Sequence, residues 1–225
     1  MIALIKRELL PYEMQNSEVD CYIAVLNKKR FTLALKRLFD IFASFFGLLI
    51  LLIPFCIIAV CVKISDSGPV FFTQTRIGRY KKPFKILKFR TMTVNAEKAG
   101  LKITVGADRR VTKVGKLLRK TKIDELPQLI NVFLGQMSCV GPRPEVAEYV
   151  DVYSDEMYAT LLVRPGITSS ASIKYRNENE ILQLSDDPEK AYIDVVLPDK
   201  MKYNLEYINK LSPIYDLELI FKTIF

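Results

Sequence analysis

Apolar and charged residues are interspersed along most of this chain, but from Ile41 to Val62 they separate, leaving 22 consecutive residues, IFASFFGLLILLIPFCIIAVCV, without a charge. A helix rises about 1.5 Å per residue, so a continuous one over this run would cover about 33 Å, enough to span a bilayer. Two features complicate a simple span. Pro54 lies inside the run, where it removes a backbone donor and crowds the preceding turn, so a kink is expected. Basic residues also flank both ends: Lys28, Lys29, Arg30, Lys36 and Arg37 before, and Lys63, Arg76, Arg79, Lys81 and Lys82 after. The positive-inside tendency keeps both flanks in the cytoplasm. A re-entrant helix that enters, breaks at Pro54 and returns to the same face meets both conditions. A single-pass anchor and a buried helix of a soluble protein are the other readings.

Val70 to Ile77 and Phe84 to Arg90 have strand-like composition around a basic, Gly-containing turn, which predicts a β-hairpin. Arg79, Lys81, Lys82, Lys85 and Lys88 would line its rim, either solvated or against anionic lipid headgroups, where each cation is worth about 1 kcal/mol. Residues 93 to 110 read as a polar loop with a short helix. Val111, Val114, Leu117 and Leu118 then recur at helical spacing opposite Lys113, Lys116, Arg119 and Lys120. Thr121 to Glu125 connects this short helix to another that accepts Pro127 in its first turn, buries Leu129, Val132 and Phe133, and stops at Gly135. Two rigid turns, Gly141-Pro142-Arg143-Pro144 and Arg164-Pro165-Gly166-Ile167-Thr168, each carry an arginine, and Glu145 to Val163 between them reads as an amphipathic helix. Residues 174 to 200 are acidic and loop-rich, and Lys202 to Phe225 read as helical with an interruption near Pro213. The pattern predicts an α+β fold, mostly helical with a small β-hairpin. Its expected parts are an N-terminal extension over 1–30 that lacks a secretory signal's features, a re-entrant membrane helix over 31–64 and a cytoplasmic catalytic domain over 65–225.

Charge sharpens this picture. The net charge of +8 is local: residues 63 to 122 hold seventeen Lys or Arg against Asp66, Glu97 and Asp108, whereas residues 123 to 225 hold seventeen acids against nine bases. A basic patch of this kind implies nucleic acid, anionic lipid or a phosphorylated substrate as partner. At its edge stand two adjacent carboxylates, Asp124 and Glu125. They fall at or beside a helix N-terminus, whose dipole stabilises anions by about 0.3 to 1 kcal/mol and so keeps both ionised. Neighbouring helical side chains point about 100° apart, so a division of labour fits the pair: one attacks or positions, the other holds a hard cation such as Mg²⁺ through oxygen. Arg119, Arg143 and Arg164 could clamp phosphoryl oxygens, and Arg90, at the end of the second strand, joins the candidate substrate-binding set. On its own such a dipeptide usually means only a charged helix end. The chain has no histidine, which excludes Ser-His-Asp and Cys-His triads and HExxH metalloproteases. Cys21, Cys56, Cys61 and Cys139 show no metal-ligand spacing and read as reduced.

The order KRLFD, GPVFFTQTRIGRYKKPFKILKFRTM, LRKTKIDELPQLINVFLGQMS, VGPRP and RPGIT resembles the bacterial sugar transferases, and more closely the small monotopic polyprenyl-phosphate phosphoglycosyl transferases. The resemblance covers about residues 34 to 225. It implies a re-entrant helix inserted from the cytoplasmic face of the bacterial inner membrane. It also implies transfer of a phosphosugar from a UDP-sugar to polyprenyl phosphate with release of UMP, initiating surface polysaccharide assembly. By position, Asp124 matches the nucleophile that forms an aspartyl phosphosugar, Glu125 its Mg²⁺-binding partner, and Arg119 and Arg143 the phosphate-contacting arginines. The family's partners are the two substrates and membrane lipid, with no nucleic acid, and it allows a homodimer. Neither half-reaction obliges the protein to supply a general base, in keeping with the missing histidine. Two departures stand out: Ser169-Ser170-Ala171-Ser172 where a glycine and an apolar residue commonly follow, and Tyr203-Asn204 in place of Tyr-Asp. Non-catalytic membrane adaptors and nucleic-acid binders remain as rival classes.

Overall fold

The computed structural model describes residues 4–94, 96 and 108–224, so most of the polar loop expected over 93–110 lies outside the described residues. The chain order is α1 (Ser17–Lys28), α2 (Arg30–Ser65), β1 (Phe71–Ile77), β2 (Pro83–Phe89), α3 (Lys113–Lys120), α4 (Gln128–Phe133), β3 (Ser138–Val140), α5 (Ala147–Val150), β4 (Gly166–Thr168), α6 (Ser170–Lys174), α7 (Glu178–Gln183), α8 (Pro188–Ala191), α9 (Leu197–Lys210) and α10 (Pro213–Ile224). The fold is α+β and mostly helical, with β1 and β2 forming an antiparallel hairpin and β3 and β4 a short parallel pair.

The apolar run lies within α2, a single helix of 36 residues. The break expected at Pro54 is a lost hydrogen bond inside that helix and not a loop: a proline cannot donate to the carbonyl of Ile50. One stripe of α2 docks on the rest of the protein. Near its start, Lys36 pairs with Asp216 at 2.6 Å, and Asp40 Oδ1 accepts from Ser138 Oγ at 3.0 Å and from the Cys139 amide at 2.9 Å. Near its end, Val62 packs with Phe89 and Leu118, with Phe55 and Ile58 against the same cluster. Between these points Phe45 and Gly47 meet α4 at Phe133 and Leu129, and the face turned away from the domain is bare, Ile50 and Ile53 being 77% and 71% exposed. An exposed apolar surface of this size marks a membrane or partner contact. This long apolar helix, fastened to one domain near both of its ends, fits a membrane hairpin.

The main core gathers Ile5, Leu10 and Met14, then Val19, Ile23 and Leu26 of α1, with Leu162, Val196, Tyr207 and Ile208. Residues 5–26 are therefore packed into the same core as α9. Between Glu145 and Val163 the expected helix is in fact α5 and a 3-10 segment, Met157–Leu162, separated by residues 151–156, where Asp151, Ser154 and Asp155 compete for backbone groups and favour turns. Conversely, the region read as loop-rich over 174–200 is largely helical. Asp187 caps α8 by accepting from the Lys190 amide, and Pro188 sits at its first turn, so residues that signal a loop here start a helix.

Two close approaches fix the framework. A Cβ on Gly166 would lie 2.1 Å from the Gly141 amide nitrogen, so β3 and β4 meet only because both turns carry glycine there. Asn131 of α4 staples the helix to β2, donating from Nδ2 to the Lys85 carbonyl at 2.8 Å and accepting at Oδ1 from the Leu87 amide at 3.0 Å. Asn131→Ala leaves two part-buried backbone groups without their partner and should cost about 1 to 3 kcal/mol in denaturant unfolding; a loss under about 0.5 kcal/mol would mean that water replaces the amide.

Candidate active site

The acid pair sits where α3 turns into α4. Thr112 caps α3, its side chain accepting from the Gly115 amide at 2.9 Å, and Gly115 lets that helix press on Thr91, where a Cβ would lie 2.0 Å from the Thr91 carbonyl oxygen. This seats Arg119, whose Nε donates to Thr91 Oγ1 at 2.9 Å. After α3, Lys122 takes φ +59°, a left-handed conformation uncommon for a side chain of its size. That residue reverses the chain into a 3-10 turn, Ile123–Glu125, before Pro127 leads into α4.

The turn gives the two carboxylates different surroundings. Glu125 accepts from Lys88 Nζ at 2.7 Å and from both terminal nitrogens of Arg143, at 2.5 and 3.1 Å. Burial alone would push its carboxyl up, but Arg143 and Lys88 outweigh burial and hold it well below the usual carboxylate range. Glu125 in return raises the Arg143 guanidinium above its ordinary range, while burial pulls the Lys88 ammonium down. Asp124 is 8% exposed and its Oδ1 has no hydrogen-bond partner. Burial, reinforced by the Glu125 charge, raises its carboxyl above the usual aspartate value, against the pull of Lys88, Arg119 and Lys122. The expectation that a helix dipole keeps both acids equally ionised thus gives way to one clamped carboxylate and one destabilised one.

The predicted site residues divide into two groups. Asp124, Glu125, Arg119 and Arg143 come together. Arg90 is drawn away to Asp66, with Nη1 3.4 Å from a carboxylate oxygen and Nη2 on the Asp66 carbonyl. Arg164 lies beyond α4, its Nε on the Gly135 carbonyl at 2.8 Å. Lys88, expected on the hairpin rim, faces inward as part of the site. The period-2 pattern of β2 carries the signal, since Phe84, Ile86 and Lys88 share the inward face. Of the other rim cations, Lys81 pairs with Glu13 at 2.7 Å and Arg79 bonds the Leu162 carbonyl, leaving Lys82 and Lys85 exposed. Leu117, placed on the buried stripe of α3 by its spacing, is 63% exposed. The two departures at 169–172 and 203–204 meet: Ser169 caps α6, and Ser170 Oγ donates to the Tyr203 carbonyl at 3.1 Å.

Beside Arg143 lies a shallow cleft lined by Gly78, Pro142, Arg143, Glu145 and Tyr153. Among the described residues no group of three or more carboxylates or thiols is placed to hold a metal by itself. The hard oxygens with spare capacity are Asp124 Oδ1, which accepts nothing, and Glu125 Oε2, which accepts once. That donor set suits a cation of the Mg²⁺ type, which takes one or two carboxylates and completes its shell with substrate phosphates and water.

Glu125 clamped by Lys88 and Arg143, with Asp124 and Arg119 alongside, makes a cluster of paired acids and fixed cations on a domain that carries a bare apolar helix. The chain belongs to the bacterial sugar transferase family, whose model matches residues 31–225. It is 39% identical over 195 residues to the UDP-glucose:undecaprenyl-phosphate glucose-1-phosphate transferase of Escherichia coli K12, an alignment covering 85% of this chain and 39% of that protein. It is 37% identical to an Aeromonas hydrophila UDP-N-acetylgalactosamine-undecaprenyl-phosphate N-acetylgalactosaminephosphotransferase, over 84% of this chain and 43% of that protein. An exopolysaccharide production protein of Rhizobium leguminosarum bv. phaseoli is 36% identical over 85% of this chain and 94% of its own length. The chain thus spans about two-fifths of the length of the two transferases and nearly all of the Rhizobium protein.

Proposed function

We propose that this protein transfers a phosphosugar from a UDP-sugar to polyprenyl phosphate with release of UMP, at the cytoplasmic face of a bacterial inner membrane. The observation that carries the proposal is the unequal pair: Asp124 buried with a free carboxylate oxygen, Glu125 clamped between Lys88 and Arg143. Family membership and the substrates named for its transferase relatives support the same reading.

In the first half-reaction Asp124 attacks the phosphorus that bears the sugar, forming an aspartyl-phosphosugar as the bond to UMP breaks. In the second, an oxygen of polyprenyl phosphate attacks the same phosphorus, the polyprenyl diphosphosugar leaves, and Asp124 returns to its carboxylate. No proton need be taken from either nucleophile, because both are already anions. Two anions meeting must be screened, and Arg119, Arg143 and Lys88 supply fixed positive charge for this at no reorganisation cost. Glu125 would hold a Mg²⁺, which would supply charge neutralisation of the leaving phosphate when bound.

Membrane fractions supplied with undecaprenyl phosphate, Mg²⁺ and a panel of UDP-sugars should release UMP with at least one donor. A chelator should abolish the release and added Mg²⁺ restore it. Release that persists in chelator overturns the metal role. A protein that binds anionic vesicles and turns over no nucleotide sugar would instead be a surface adaptor.

A further inference from the structure

A second cleft lies away from the acid pair, across α4. Its charged lining comprises Lys36, Arg37, Asp40, Arg79 and Arg164. Lys36 is neutralised by Asp216, and Asp40 is turned onto Ser138 and Cys139, which leaves three guanidinium groups over one buried carboxylate.

Each arginine is anchored by a backbone carbonyl. Arg37 crosses the C-terminal end of α4, with Nη1 on Val132 O at 2.7 Å and Nη2 on Phe133 O at 3.0 Å. The same Nη2 lies only 3.2 Å from where a Cβ on Gly135 would stand, and Gly135 O accepts from Arg164 Nε, so two guanidinium groups bracket one residue. Arg79 donates Nε to Leu162 O at 2.9 Å and stacks over the Tyr80 ring at 4.3 Å. In Arg79 and Arg164 only Nε is committed; their terminal nitrogens have no acceptor among the described residues. Burial lowers the Arg164 guanidinium from its ordinary range, and the charges of Arg79 and Arg37 lower it further. Helix-end capping explains the anchored nitrogens. It leaves unexplained two forks that line one cleft, each held only at Nε.

We infer that this cleft binds the phosphate of a bilayer phospholipid, with the terminal nitrogens of Arg79 and Arg164 as fork donors and Arg37 as flanking charge. Planar forks match phosphate oxygens, and Arg is less costly to desolvate than Lys. A lipid is favoured over free phosphate by the position of the cleft. Leu33, Lys36 and Arg37 of α2 form one wall, and the neighbouring Leu38, Phe133 and Leu134 are 51%, 43% and 65% exposed, offering a surface for acyl chains. The inference rests on the membrane placement of α2 and is independent of the chemistry at Asp124.

Native mass spectrometry of the full-length protein, purified in detergent with added phosphatidylglycerol, tests it. Wild type should retain one phosphatidylglycerol after the micelle is stripped, and millimolar inorganic phosphate should not displace it. Arg79→Gln/Arg164→Gln should bind at least ten-fold more weakly, whereas Lys82→Gln/Lys85→Gln, which removes exposed hairpin cations, should bind as wild type. Should the Gln pair fail to fold, Arg79→Lys/Arg164→Lys, which keeps charge but loses the forks, should still weaken retention several-fold. Equal retention by a folded Gln pair or by the Lys pair, equal loss in the hairpin variant, or displacement by inorganic phosphate overturns the proposal. The readout does not involve turnover, so its failure leaves the transferase reading standing.

Discussion

Asp124→Asn is expected to reduce UMP release by at least about 10³-fold, the scale on which loss of a covalent nucleophile is felt. The substitution keeps shape and removes only the charge. Because burial and the Glu125 charge both disfavour ionised Asp124, the variant should be as stable as wild type or slightly more so. Activity lost while stability is kept separates a chemical role from a structural one. Incubated with a UDP-sugar and no acceptor, wild type should gain one phosphosugar by intact mass, and the variant none. Full activity in Asp124→Asn would falsify the nucleophile assignment. The raised carboxyl also sets a pH dependence. Asp124 must be ionised to attack, so the acid limb of the rate should lie above pH about 4, where an ordinary aspartate titrates.

The second large effect belongs to Glu125. It holds Lys88 and Arg143, and it is the proposed metal ligand, so Glu125→Gln removes two functions together. Turnover should fall by about 10² to 10³-fold, as expected when an electrostatic support is lost. Extra Mg²⁺ discriminates the two functions: if metal affinity alone were damaged, high Mg²⁺ would restore the rate. The structure argues for incomplete rescue, because Lys88 and Arg143 lose their acceptor in the variant. A double-mutant cycle of Glu125→Gln with Arg143→Ala should then show a coupling of about 0.5 to 3 kcal/mol, and strict additivity would remove the anchoring role. Stability carries a linked signature. Glu125 is held below its unfolded pKa, so its contribution is present above pH about 4.3 and is lost as pH falls through the depressed value. Wild type should therefore lose stability in acid more steeply than Glu125→Gln.

What the sequence reveals, and what it hides, follows from how local each signal is. The apolar run, the hairpin strands and the stops at Gly135 and Pro213 are set by composition within a few residues, and the elements lie there. The acid pair with Arg119 and Arg143 is legible because motif order carries it. Lys88 was hidden because a lysine on a basic hairpin reads as surface; only its register with Phe84 and Ile86 betrays it. Arg90 and Arg164 carry the right chemistry at other places, since a guanidinium is as well satisfied by Asp66 or a helix-end carbonyl as by phosphate. The helices over 174–200 escaped notice because proline and aspartate start helices as readily as they end them. The core role of residues 5–26 depends on partners more than a hundred residues away, and no local pattern announces it.

The two-ended docking of α2 makes that helix a ruler. Between its polar anchor at Asp40 and its aromatic anchor at Phe55, which meets Phe89 ring to ring at 5.2 Å, the depth to which it can sink is fixed by side chains that cannot slide independently. Phe89 neighbours Lys88 along β2, so the same rung that limits immersion is one residue from the clamp on Glu125. The position of the acid pair relative to α2 is thus written into the packing of the domain. On the proposed transferase reading, a long-chain acceptor would be met at constant depth.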